Sequence, residues 1–301
     1  MIFWEDIISE RPRIENAIKK YGYAPEHNFE WYQSQPEKGD KNVFVEFEDG
    51  SGLMTLEDNY KKTCSVFSSP IAPPERRSKI LIEYLNKIFD LKSFPKIEFE
   101  LEENLYRKFI KELPAIFKSR KPKCTLSWPI YDLSLFDENL SGRKWSSLRK
   151  SRNKFYKEHL VKVLDAKSYK NKDNIHNLID EWGKNRHAKD RAYPREYHFI
   201  IDKNFSATTE ARLFSVDEKI CGINAGWIIP NTNRYYGAIG IHNYAFPGLG
   251  DALYLEDLIY LKSQGYKETD MGGGEKELNA FKAKSHPQSF YKTYNFTIIK
   301  I

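Results

Sequence analysis

The chain has few cysteines and no apolar run long enough to cross a membrane. Its 301 residues include 3 Cys, which are Cys64, Cys124 and Cys221. Their wide spacing and odd number exclude a disulfide framework and the common zinc-ligand patterns. No window holds the roughly 18 apolar residues of a spanning helix, and charges interrupt the apolar positions of the N-terminal 20 residues. We therefore expect a cytoplasmic protein with no signal peptide and no metal site.

Familiar catalytic motifs are also missing. There is no G-x-S-x-G turn, no H-E-x-x-H, no P-loop and no G-x-G-x-x-G after a predicted strand. The 7 histidines show no metal-ligand spacing. These absences remove the usual signals for serine hydrolases, zinc peptidases, P-loop nucleotidases and dinucleotide-dependent oxidoreductases.

The composition is that of a folded and mildly basic protein. Hydrophobic residues make up 40% and charged residues 30% of the chain, so a packed core is expected and disorder is not. The formal net charge is +6. Such a charge allows an anionic partner, such as a coenzyme phosphate, a tRNA or a lipid head group, but does not require one.

Hydrophobic periodicity predicts the same order of elements in both halves of the chain. In each half a strand meander is followed by a helix, a strand, a helix and a strand. No residue-level repeat accompanies this order. We predict an α+β fold of two similar domains, 1–138 and 139–301, each a mixed and mostly antiparallel sheet flanked by helices. The predicted helices include Trp4–Tyr21, 75–89, 144–159, 173–190, 251–264 and 275–284.

A glycine turn precedes the predicted helix at 251–264. Gly248 and Gly250 permit positive φ angles and a close approach of the backbone to a ligand. A helix N-terminus favours phosphate, so a donor phosphate is predicted there. Asp251 beside the turn would repel it, and a tight strand-to-helix connection accounts for the same pattern.

A second glycine segment follows the predicted strand at 268–272. Gly272, Gly273 and Gly274 would allow a bulge that separates this strand from its neighbour. The extended arm of a donor, or an acceptor amine, would then add to the sheet edge. A flexible strand-to-helix connection is the alternative.

Side chains after these glycines are the candidates for catalysis. Lys282 would stabilise the oxyanion of an acyl-transfer intermediate or bind a phosphate; an exposed surface lysine is the alternative. Tyr291 is a candidate acid for a leaving group, and Tyr294 is a second one. Ordinary packing explains each tyrosine equally well.

The predicted helix at 144–159 is basic and amphipathic, which suits phosphates of RNA or lipid, although a solvated face explains it too. Arg152 and Asn153 lie close to its apolar side and are expected to point inward. Two further acid–base candidates are the pair Asp190-Arg191 and Asn224, a polar residue in an apolar strand. Such a residue is either hydrogen-bonded in the core or directed at a ligand.

Two segments carry a resemblance to a known family. The segment 140–159, with Arg152-Asn153, is similar to the start of the catalytic domain of phosphatidylglycerol lysyltransferases, which belong to the tandem-GNAT acyltransferases. The segment 270–296 resembles the end of that domain and the Fem-type aminoacyltransferases, in which a glycine-rich strand end precedes Phe-Lys. The resemblance implies two GNAT-like domains in tandem, with Lys282 near the donor carbonyl or the acceptor.

The resemblance also implies an activity. The chain would move an acyl or aminoacyl group from acyl-CoA or aminoacyl-tRNA, as a co-substrate rather than a tightly bound cofactor, to an amine or hydroxyl. The turn 246–252 departs from the GNAT pyrophosphate loop, because Tyr244 or Ala245 stands where Arg or Gln is usual. This departure favours aminoacyl-tRNA. Two alternatives remain: a non-catalytic GNAT-like module that binds tRNA or another phosphorylated ligand, and an interaction protein built around the basic helix.

Overall fold

The computed structural model describes residues 1–58, 60–186, 193–274 and 276–301. Contacts divide the chain into two compact units. The first unit contains 1–127, 229–232 and 291–301, and the second contains 128–228 and 233–290. These units are defined by contacts and join segments that are distant in sequence, so they do not test a boundary along the chain. The domain boundary between residues 138 and 139 stays a prediction.

The sheet of the first unit is mostly antiparallel. Its strand order is β1-β2-β3-β4-β5-β13, and β6 pairs with β13. Only β4 and β5 run parallel among these pairs. The strands are β1 Ile2–Trp4, β2 Asp40–Glu46, β3 Gly52–Asp58, β4 Thr63–Val66, β5 Ile97–Glu102, β6 Phe117–Ser119 and β13 Ser289–Lys300.

Helices of the first unit cover this sheet. They are α1 Arg11–Tyr21, α2 Phe29–Gln33, α3 Arg77–Leu91 and α4 Glu103–Glu112. Apolar residues of α3 at helical spacing, among them Ile80, Leu81 and Tyr84, are fully buried against Ile97 and Phe99 of β5. The parallel crossover β4-α3-β5 therefore organises the core of this unit.

The predicted helix at Trp4–Tyr21 is wrong over its first turns. Trp4 belongs to β1, where it pairs with Phe44 and donates from its indole nitrogen to Glu46 at 3.0 Å. The helix begins at Arg11, with Pro12 in its first turn. Proline is tolerated there because the first amides of a helix have no intrahelical acceptor. The strand depends on a partner about 40 residues away, which local periodicity does not reveal.

The sheet of the second unit has the order β7-β12-β11-β10-β9-β8. Its pairs are antiparallel except for β11 with β12. The crossover β11-α8-β12 thus repeats the arrangement of β4-α3-β5. The strands are β7 Cys124–Asp132, β8 Val161–Asp165, β9 Glu210–Val216, β10 Lys219–Ile228, β11 Arg234–His242 and β12 Glu268–Asp270.

The helices of the second unit are α5 Ser146–Glu158, α6 Lys172–Lys184, α7 Pro194–Asp202, α8 Leu249–Ser263 and α9 Lys276–Ala283. A 3₁₀ turn, Arg143–Trp145, leads into α5. The helix predicted at 173–190 ends at Lys184, and Asp190-Arg191 lies outside the described residues. No helix of the described residues is both long and apolar enough to cross a bilayer.

A buried ion pair joins α8 to the sheet of the second unit. Arg212 of β9 donates to Asp257 of α8, and the two residues are 8% and 4% exposed. Burial raises the pKa of the Asp257 carboxyl, and the guanidinium opposes that shift. The guanidinium also lies 3.8 Å from the ring centre of Tyr260. Because α8 is held in this way, its N-terminus has a fixed position beside β11.

A β-bulge interrupts β11. Ala225 of β10 is opposite Ile239, whereas the next residue, Gly226, is opposite Gly237, so Ala238 is the extra residue. A Cβ on Gly226 would lie 1.9 Å from the carbonyl oxygen of Tyr236. Glycine at 226 therefore lets the bulged strand approach β10 closely.

Replacing Gly226 with alanine is expected to lower the free energy of unfolding by about 1–3 kcal/mol, because the Tyr236 backbone must move to admit the methyl group. Gly240→Ala is the matched control on the same strand pair, since its Cβ would meet only Asn224 Oδ1, at 3.9 Å. The control should change stability by less than about 0.5 kcal/mol. Urea unfolding measures both, and equal stabilities would contradict this account of the bulge.

Candidate functional site

In the described part of the chain, no strand pairs with the edge of β11 beyond the bulge. β11 and β12 pair only between 234–236 and 268–270. β12 ends at Asp270, whereas β11 continues to His242 and pairs there with β10 alone, as far as the described residues show. We call residues 237–242 the β11 edge. An unpaired main-chain edge accepts an extended ligand by strand addition.

Lys282 of α9 lies near the start of this edge, since a Cβ on Gly272 would lie 3.6 Å from Lys282 Nζ and 3.8 Å from the carbonyl oxygen of Gly237. Its Nζ donates to the carbonyl oxygens of Met271 and Gly272 at 2.6 and 2.7 Å. The residue is only 6% exposed, so the alternative of a surface lysine is wrong. Burial lowers the pKa of the ammonium to about 8, and the Asp270 carboxylate opposes the shift. The ammonium is therefore mostly protonated near neutral pH, in surroundings that strengthen its electrostatic field.

Two tyrosines fix the backbone of Lys282. Tyr254 of α8 donates from its hydroxyl to that of Tyr131 at 2.9 Å, and Tyr131 donates to the carbonyl oxygen of Lys282 at 2.7 Å. Both rings are buried. This chain of hydrogen bonds links β7, α8 and α9, so the position of the ammonium is set by three elements.

The triple glycine forms a tight turn beside Lys282. Gly272 has a φ of +82°, which glycine adopts without strain. Its amide donates to Asp270 Oδ1 at 2.9 Å. A Cβ on Gly273 would lie 2.4 Å from the ring of Trp128. Gly272 therefore provides a positive φ, and Gly273 allows the close approach of the Trp128 ring. The bulge that was predicted at these glycines lies on β11 instead, at Ala238.

The glycine turn before α8 is filled by protein groups. Gly248 has a φ of +90°, and a Cβ on Gly250 would lie 2.8 Å from the imidazole of His242. Burial lowers the pKa of His242, against the effect of Asp251. The Asp251 carboxylate accepts from the Ser151 hydroxyl at 3.1 Å. Lys284 Nζ lies 3.4 Å from the same carboxylate. An imidazole and a paired carboxylate thus lie where a donor phosphate was predicted.

The predicted residues of α5 differ in their surroundings. Arg152 is half-buried and pairs with Glu256 of α8 at 2.8 Å. Asn153 is exposed, so the expectation that it points inward is wrong. The exposed basic residues of this segment are Arg143, Lys144, Lys150, Lys154 and Lys157.

The structure brings only some of the predicted residues together. Lys282 and Gly272 touch, and Gly273 adjoins them. Gly248 and Gly250 lie at the far end of the β11 edge. Tyr291 belongs to the first unit, so its role stays a prediction. Asn224 is buried and donates to the carbonyl oxygen of Leu253 at 3.2 Å. Of its two predicted roles, this is the one of a polar residue hydrogen-bonded in the core.

Sequence reasoning missed His242, Trp128 and the Tyr131–Tyr254 pair. One local signal was available for His242, since it ends an alternating strand directly before the glycine turn. The other contacts join residues more than 100 positions apart and left no local pattern.

Comparison with known proteins identifies the fold. No family model matches the chain, and no curated protein matches it. Among solved structures, the C-terminal domain of a putative lysylphosphatidylglycerol synthetase from Agrobacterium fabrum is similar, with a TM-score of 0.70 and 16% identity over 97% of this chain and 91% of that one. FemX has a TM-score of 0.63 and 12% identity, over 99% of this chain and 97% of that one.

A tandem GNAT protein from the clavulanic acid biosynthesis pathway is also similar, with a TM-score of 0.55 and 10% identity over 99% of this chain and 98% of that chain. At such low identities the likeness concerns the fold. The chain is an α+β protein with two GNAT-like domains in tandem, as the sequence predicted, and its structural neighbours include the kinds of protein that its motifs resemble.

Proposed function

We propose that this protein is an acyltransferase that moves an aminoacyl group from tRNA to an amine or hydroxyl acceptor. The donor would extend along the β11 edge, with its reacting carbonyl near Lys282. One observation carries the proposal: a buried ammonium, fixed on two carbonyl oxygens, lies at the start of an unpaired strand edge. The names of the neighbours, a lysylphosphatidylglycerol synthetase and FemX, support the same class.

The reaction would be a direct displacement at the donor ester. The acceptor nitrogen or oxygen forms a bond to the carbonyl carbon, and the C–O bond to the ribose breaks. The acceptor's proton ends on the departing ribose hydroxyl, directly or through water. Negative charge on the carbonyl oxygen would be stabilised by amides of the β11 edge and by the Lys282 ammonium. Tyr291 stays a candidate for proton donation to the leaving group.

The glycine turn favours aminoacyl-tRNA over acyl-CoA as the donor. A pyrophosphate at the start of α8 would meet the Asp251 carboxylate and the imidazole of His242, whose pKa burial lowers. The like charge of Asp251 weakens such binding, and the ammonium of Lys284 is already paired with that carboxylate, at 3.4 Å. The exposed basic side chains of Arg143–Lys157 offer contacts for a tRNA backbone instead, with Gly248 and Gly250 shaping the turn rather than binding phosphate.

A thermal-shift comparison tests the donor. Aminoacyl-tRNA at 100 times its dissociation constant should stabilise the protein by about 2.7 kcal/mol, and acetyl-CoA and longer acyl-CoAs should not. An equal shift with acyl-CoA would make the coenzyme the donor. Equal shifts with charged and uncharged tRNA, without any transfer, would favour a module that binds tRNA and does no chemistry.

A further inference from the structure

A cluster of four side chains joins α6 to α7, away from the β11 edge. Each helix contributes a histidine and an aspartate four positions later: His176 and Asp180 on α6, His198 and Asp202 on α7. The pairs cross between the helices. His176 Nε2 lies 3.2 Å from Asp202 Oδ1, and His198 Nε2 lies 3.0 Å from Asp180 Oδ1. We call these four residues the His–Asp cluster.

The two imidazoles meet through their Nδ1 atoms, which are 2.7 Å apart. The ring centres are 4.9 Å apart and the ring planes are inclined by 26°. The separation of the ring centres exceeds the separation of the two Nδ1 atoms by about twice the distance from a ring centre to its own nitrogen. The nitrogens therefore lie close to the line between the ring centres, and the rings meet edge to edge. This is the geometry of a hydrogen bond in the ring plane.

These contacts fix the number of protons on the pair. Two Nδ1 lone pairs repel at this distance, and so do two N–H groups, so one proton lies between the nitrogens. Each Nε2 faces a carboxylate, which only accepts, so each Nε2 carries a proton. Three N–H protons on two rings make one neutral imidazole and one imidazolium. The two carboxylates surround this single positive charge.

We propose that the His–Asp cluster is a one-proton site that holds α7 against α6. If the pair gains one more proton, two N–H groups face each other at Nδ1. If it loses the shared proton, two lone pairs face each other there. Docking of α7 is therefore strongest at intermediate pH and weaker on both sides. Asp180 and Asp202 are the charged groups that contact the rings; no other charged side chain of the described residues does, including those of β10 and β11, on which α6 packs.

The effect of pH on docking is local to α6 and α7, the helices before and after the segment 185–193. Trp182 of α6 and Tyr197 of α7 also contact each other, with ring centres 5.9 Å apart. This apolar contact does not change with protonation below the range where tyrosine ionises. The site therefore modulates a contact that persists without it, and the fold should survive loss of either histidine.

Hydrogen exchange on the intact protein tests the proposal. Protection factors of α7 amides, corrected for the intrinsic effect of pH, should pass through a maximum as the pH is raised and fall roughly fivefold on each side of it. His198→Asn places an amide oxygen near the position of Nδ1, where it accepts from His176 without a shared proton. The acidic fall should then disappear. His159→Asn, outside the cluster, should keep the maximum.

A flat profile in the wild-type protein, or the same profile in His198→Asn, would overturn the proposal. Nitrogen-15 NMR of the wild-type imidazoles gives a second readout that needs no variant. At the pH of the maximum, one of the two rings should carry protons on both nitrogens and the other on Nε2 alone. Two neutral rings at that pH would also overturn it.

Discussion

Lys282→Met is expected to reduce aminoacyl transfer at least roughly 100-fold while the protein stays folded, which is the effect of removing one group that stabilises an oxyanion. Methionine fills a similar volume without the charge that faces Met271 and Gly272. Single-turnover transfer rates measure the effect. Lys276→Met, at the exposed start of the same helix, is the control and should change the rate less than about twofold.

The pH dependence of stability separates the charge of Lys282 from its packing. The folded pKa is about 8, below the ordinary value of 10.5, so between these values the unfolded chain binds more protons. The free energy of unfolding of the wild type should therefore rise with pH across this window, by about 3 kcal/mol relative to Lys282→Met. If the difference in the free energy of unfolding between the two proteins stayed constant as the pH changed, the ammonium would not be desolvated.

Asp257→Ala is expected to lower the free energy of unfolding by about 3–5 kcal/mol, the largest change in stability that we predict. The substitution leaves Arg212 charged and buried without its carboxylate. An uncompensated buried charge has this effect because the lost hydration is not replaced. Urea unfolding followed by circular dichroism measures it.

Glu158→Ala is the matched control, since Glu158 forms an exposed pair with Lys154, at 3.9 Å on α5. It should change stability by less than about 0.5 kcal/mol, as exposed pairs contribute little. If the two substitutions destabilised the protein equally, burial would not be what distinguishes the Arg212–Asp257 pair.

The fold was largely predictable because most elements carry their own periodicity. The helices predicted at 75–89 and 251–264 are α3 and α8. An error arose where a distant partner decides the conformation, since Trp4 pairs with Phe44 rather than continuing a helix. The helix predicted at 173–190 ends at Lys184.

The candidate site was predictable only in part, for the same physical reason. Lys282 and the glycines were recognised from local sequence and from a family resemblance. The role of Gly250 could not be recognised, because the imidazole of His242 lies where its Cβ would be. His242 is eight residues earlier and on another element. Glycine patterns reveal where the backbone is approached closely but do not reveal what approaches it.

The most direct test of the central claim is single-turnover transfer from tRNA charged with a labelled amino acid, using ethanolamine as the acceptor because it offers both an amine and a hydroxyl. The account predicts that the wild-type protein moves the label from tRNA to ethanolamine, and that Lys282→Met binds the charged tRNA but transfers at least roughly 100-fold more slowly. Label that stays on tRNA bound to the wild-type protein, or transfer at equal rates by both proteins, would contradict it.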